Sequence, residues 1–225
     1  MIAKGTCTIR TYQLFFFLVC LLFSNNLLAN DSSPEIFQAA QSGLDRFLNQ
    51  IPENDLESYG FSQNSLLDHA SLGIPLELYK LLPSEVTDYA PGMSVDSLIT
   101  KTGMWYFPVK INDKISCILI VDRIDNAWKA VSLGNAALAA QLSKVIRSLP
   151  KSDRADMKLI CSFQAKEYLF TLPQKGQYNL TALGFQGLTN KTDSEKSAPL
   201  SLEEVSDTVN RLKPIIENNI NDILR

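Results

Sequence analysis

A single histidine, His69, and four cysteines bound the chemistry open to this chain of 225 residues. One histidine cannot build a multi-histidine zinc site, and Cys117 and Cys161, widely spaced, do not replace it. His69 follows Asp68, but neighbours in sequence need not face each other, and no Gly-x-Ser-x-Gly elbow supplies a nucleophile. It reads as an ordinary loop histidine. A nucleophilic thiol at Cys117 would need exposure and a basic partner, whereas Ile115, Ile118 and Leu119 around it predict burial. Carboxylates cluster at Glu53, Asp55 and Glu57, and Asp122 and Asp125 flank a turn; solvated loop charge accounts for both groups more simply than an acid and base pair. The ten glycines form neither a P-loop nor a dinucleotide fingerprint. No cofactor or metal is implied.

Aromatic residues are the better candidates for a binding surface. Trp105, Tyr106 and Phe107 stand in one strand-like run, and Trp128 stands in another. Flat amphipathic rings on a sheet can stack on sugars, peptides or apolar ligands. Alternation puts Trp105 and Phe107 on one face and Tyr106 on the other, with Lys110 and Lys129 as a prospective polar rim. A core role for the same rings is the competing reading. At these positions the chain resembles a set of uncharacterised exported bacterial proteins. The resemblance rests on Tyr59-Gly60-Phe61, on Leu72-Gly73-Ile74-Pro75 with Tyr79, on Trp105-x-x-Pro108-Val109, and on Trp128 before Gly134. It spans roughly residues 59 to 149 and implies an exported bacterial protein with a Trp-x-x-Pro-Val strand and a meander, and no activity.

The elements that must position these residues begin after an address. Lys4 and Arg10 precede an apolar run from Leu14 to Phe23, about half the roughly twenty residues that span a bilayer. Polar Ser24 to Asn26 follow, and Ala29 marks a cleavage edge, so residues 1–29 are expected to be a signal peptide. Lipidation at Cys20 or an uncleaved anchor are the alternatives. Cleavage would leave about 196 residues with 19 basic against 24 acidic side chains. That mild acidity argues against nucleic acid as a partner. It would also remove Cys7 and Cys20, leaving Cys117 and Cys161 as a candidate disulfide or as two buried free thiols.

The spacing predicts a helix from Pro34 to Ile51, capped by Ser32 with Glu35 and stopped by Pro52. A short strand is expected near 74–81. Three strands then follow at 104–111, 115–124 and 127–133, joined by Asn112-Asp113-Lys114 and Asp125-Asn126, turns so short that the strands must form an antiparallel meander. Asn135 is expected to cap a helix to 149. Strands at 157–163, 168–172 and 178–183, a loop at 184–200, and a helix over 202–224 capped by Ser201 with Glu204 complete the chain.

The expected fold is α+β: one domain from residue 30 to 225, an antiparallel sheet of five to seven strands, one crossing helix and two terminal helices. The expected function is a non-catalytic binding or interaction module of the bacterial envelope, periplasmic or secreted, with no permanent membrane span. Its partner would be an envelope protein, a peptide, a sugar or a small apolar ligand. A hydrolase using carboxylates or a cysteine, and assembly through the terminal helices, are the alternatives.

Overall fold

Two turns set the register of the sheet. Asn112 and Asp113 (φ 49° and 64°), and Asp125 and Asn126 (φ 53° and 63°), all adopt the left-handed conformation. Consecutive left-handed residues make the two-residue turn whose twist matches that of the flanking strands, and Asn and Asp tolerate it best after glycine. They join β3 (Ile99–Ile111), β4 (Lys114–Ile124) and β5 (Ala127–Gly134) into the expected meander. The computed structural model describes residues 33–61, 69–154, 156–174, 177–183 and 202–223. The expected signal peptide and the expected 184–200 loop lie outside them.

The described chain is α+β. Seven principal strands, β2 (Leu76–Leu81) to β8, and the short β1 (Ala70–Leu72) and β9 (Leu202–Glu203) form one sheet. Its order is β5-β4-β3-β2-β6-β7-β8-β9, where β6 is Leu159–Ser162, β7 Glu167–Gln174 and β8 Gln177–Leu183. All neighbours are antiparallel except β2 and β6, where the chain crosses over through β3 to β5 and a helix.

β3 is the central strand, and β1 and β2 share one of its edges in succession. The break between them falls at Gly73-Ile74-Pro75, opposite Pro108. A proline inside a central strand ordinarily removes a ladder hydrogen bond. Here the Pro108 carbonyl accepts from the Gly73 N–H at 2.7 Å, so the backbone of Pro108 faces that break. The missing donor therefore points where the two short strands part, and Pro108 stays in register opposite Ile118 of β4, one residue before the register shifts between Val109 and Lys110.

Helices cover both faces. On one, α1 (Pro34–Leu48) buries Ile36, Ala40 and Leu44 against Trp105, Phe107, Val109, Cys117 and Leu119. On the other, α4 (Ala136–Ser148) packs Leu138, Ala139, Leu142 and Val145 on Leu76, Leu78, Tyr106, Ile118 and Leu159. Asn135 caps α4 as expected, its Oδ1 accepting from the Leu138 N–H at 3.1 Å. A third cluster joins α5 (Val205–Ile223) to β6 to β8 and to two short helices, α2 (Pro83–Thr87) and α3 (Val95–Leu98). The apolar stripe of α5 is thus core: Val209, Leu212 and Ile216 are buried. Arg211 fixes its direction with a bidentate pair to Glu167 of β7 (2.7 and 2.9 Å) and a further bond to Glu203 (3.3 Å).

Both expected capping boxes are corrected. α1 begins at Pro34, which makes Ser33 the N-cap, with no side-chain cap bond, and puts Glu35 in the second helical position. Leu202 and Glu203 pair with β8, so α5 starts after Glu204, and the Glu203 carboxylate instead accepts from the Thr208 hydroxyl at 3.0 Å. A glycine inside α1 has a steric cause. A Cβ on Gly43 would lie 2.0 Å from the Ala130 Cβ, so helix and strand touch there. Gly43→Ala ordinarily gains about 0.5–1 kcal/mol in a helix, but the clash dominates here. We expect a net loss of roughly 1–3 kcal/mol in urea denaturation, largely recovered by adding Ala130→Gly. A neutral or stabilising single variant would contradict the close contact.

Candidate functional site

The aromatic triplet is consumed by the core. Trp105, Tyr106 and Phe107 are 7%, 5% and 0% exposed, because α1 covers one face of β3 and α4 the other. The alternation anticipated from sequence is present, but neither face is open. Tyr106 meets Tyr168 across the α4 face, their hydroxyls 3.2 Å apart, and burial raises the pKa of both phenols.

Trp128 is the exception. It is half-buried on β5, the edge strand, and lines an open cleft of about 650 Å³ between β5 and α1. The helix contributes a stripe at turn spacing, Glu35, Gln38, Ser42 and Arg46, and the strand side adds Asn126 and Lys129. Residues three and four apart on a helix share a face, so α1 turns one polar stripe into the cleft and its apolar stripe onto the sheet. Arg46 spans the two walls. Its Nη2 donates to the Ala130 carbonyl at 2.7 Å and its guanidinium carbon lies 4.7 Å from the Phe47 ring centre. Lys129 reaches Asp125 at 3.4 Å. The arrangement offers an indole platform, neutral donors and acceptors, and charges of both signs. Sequence reasoning assigned Trp128 and Lys129 but missed the α1 stripe, which reads as an ordinary solvated helix face. The available signal was Gly43, since glycine within an apolar-periodic helix marks a close approach.

The remaining candidates do not converge on this cleft. His69 is exposed just before β1, and Asp68 lies outside the described residues. Glu53, Asp55 and Glu57 are exposed on a 3-10 turn. Lys110 belongs to the opposite side of the sheet, with Ile115 and α4. Among the described residues no group of three or more His, Cys, Asp or Glu side chains could hold a metal ion, and no helix is long and apolar enough to cross a membrane.

The candidate disulfide is not formed. Cys117 packs under α1 and Cys161 under α4, and both are buried free thiols on opposite faces of the sheet. Burial pushes the Cys117 thiol up to about 12 and the Cys161 thiol up to about 11, from an ordinary 9.0. A thiol that resists ionisation is a poor nucleophile near neutral pH. Compared with family models, curated proteins and solved structures, the chain matches none.

The raised thiols make a prediction with a definite sign. As pH climbs past 9 the unfolded chain releases these protons before the folded one does, so stability falls between about 9 and 12. Cys117→Ala should flatten the decline of the urea midpoint over that range, whatever it does to the midpoint at neutral pH. An unchanged slope would show that the thiol ionises as easily folded as unfolded.

Proposed function

We propose that this protein is an exported, non-catalytic binding module of the bacterial envelope, and that the cleft between α1 and β5 takes a glycan. The observation that carries the proposal is the half-buried Trp128 indole set among Gln38, Ser42 and Asn126. A sugar ring presents an apolar face and an equator of hydroxyls, and an indole beside short polar side chains matches both. The mixed charge of Glu35, Arg46 and Lys129 favours a neutral polar ligand over a phosphate or a fatty chain. The buried, ionisation-resistant thiols give the alternative of a cysteine hydrolase no support. Assembly through the terminal helices has none either, because the apolar stripes of α1 and α5 lie against their own sheet.

A bacterial glycan array probed with the full-length protein tests this. At least one glycan should be retained, and Trp128→Ala should weaken its Kd about tenfold, equivalent to about 1.4 kcal/mol, with Trp105 fluorescence unchanged. Retention of peptides only would move the ligand class to peptide. Turnover of any bound glycan, or binding indifferent to Trp128, would defeat the proposal.

A further inference from the structure

The break in the strand pairing of β3 leaves space on the face opposite the cleft. Where β1 ends and β2 begins, Ile74 and Pro108 open onto a pocket of about 210 Å³ beneath α4. Its walls are apolar: Leu76, Ile115, Ile146 and Met157 line it, with Ile74, 55% exposed, at the surface. Lys110, Arg147 and Arg154 also line it, against a single acid, Asp113. Among the described residues none of the three cations forms a salt bridge.

The two arginines are oriented by the backbone. Arg147 Nε donates to the Ser143 carbonyl at 3.1 Å, and Arg154 holds the Leu149 carbonyl through Nε (3.3 Å) and Nη2 (3.1 Å). A guanidinium carries five donors, so each keeps others for a ligand. Ser143, only 8% exposed, also lines the pocket.

We infer that this pocket binds a small anionic amphiphile, a carboxylate or phosphate head on a short apolar chain. The chain lies among Ile74, Ile115, Ile146 and Met157, and the head sits by Lys110 and Arg147. Drug-sized ligands occupy pockets of about 300 Å³ and upward, so the chain is short. Excess positive charge selects an anion, and paired guanidinium donors suit the two oxygens of a carboxylate. The site is independent of the glycan cleft, on the other face of the sheet and built from other residues.

Titration of the full-length protein with hexanoate, hexan-1-ol and hexyl phosphate, followed by methyl chemical shifts of Ile115, Ile146 and Met157, tests the inference. Hexanoate should shift these methyls saturably and at least tenfold more tightly than hexan-1-ol. Hexyl phosphate binding as well or better identifies the phosphate head as the preferred source of charge. Arg147→Gln and Lys110→Gln should each weaken hexanoate severalfold and leave hexan-1-ol unchanged. Both side chains reach the surface, and the Arg147 bond to Ser143 lies within α4, so the folded spectrum should persist; Arg154 is kept because two of its nitrogens hold Leu149 beyond the end of that helix. Equal affinity for alcohol and acid, or no methyl shift with any probe, would overturn the site.

Discussion

Burial of β3 on both faces is the constraint on which the rest of the structure depends. Thirteen residues long, it carries Trp105 and Phe107 toward α1 and Tyr106 toward α4. Each large ring removed from water contributes on the order of 2–3 kcal/mol, and their placement on alternate sides requires a cover on each. One helix could not satisfy both. The chain therefore supplies α1 before the sheet and α4 within it, and the crossover through α4 is what brings β6 back parallel to β2. The second half of the sheet, with α5 over it, extends from that one parallel pairing.

The same two-sidedness fixes the chemistry left to the side chains. Cys117, paired with Val109, and Cys161, paired with Tyr168, fall in different layers, so the sheet itself keeps the thiols apart. Both are spent on packing, as a free cysteine behaving like a small hydrophobe would be. Open surface is thereby displaced to places where the cover is incomplete. One is the edge strand β5, beside its close contact with α1 at Gly43. The other is the gap opposite Pro108, where β1 gives way to β2.

Local signals in the sequence were sound where the physics is local. Asn112-Asp113 and Asp125-Asn126 prescribe tight turns through their own backbone preferences, and Asn135 caps α4 through its own side chain, so the meander and the following helix were legible. Features settled by distant partners were not. The capping-box pattern of Ser201 and Glu204 is real in sequence, yet pairing of Leu202 and Glu203 with β8 takes those residues into the sheet. β1 was invisible because three residues carry too little pattern, and it exists only as a partner for Val109 to Ile111. The aromatic triplet shows the same limit. Alternation tells which rings share a face, but not whether a helix lies over it. Of four candidate ring positions only Trp128 reaches a cleft, since only it stands on an edge strand.

Gly43 links stability to that cleft. The contact with Ala130 sets the closest approach of α1 to β5, and Arg46, one turn on, clamps the helix to the Ala130 carbonyl. Gly60 acts similarly nearby, where a Cβ would fall 2.4 Å from the Ser116 carbonyl oxygen and φ is +80°, holding the turn after residue 59 against β4. A larger residue at Gly43 would push the helix outward and widen the cleft as well as cost packing energy. The width of the cleft beside Trp128 is thus set by the absence of a side chain across the interface. Because packed interiors resist graded deformation, the spacing between α1 and Trp128 is held by the fold itself, so the binding proposed for this cleft would spend little energy on creating it.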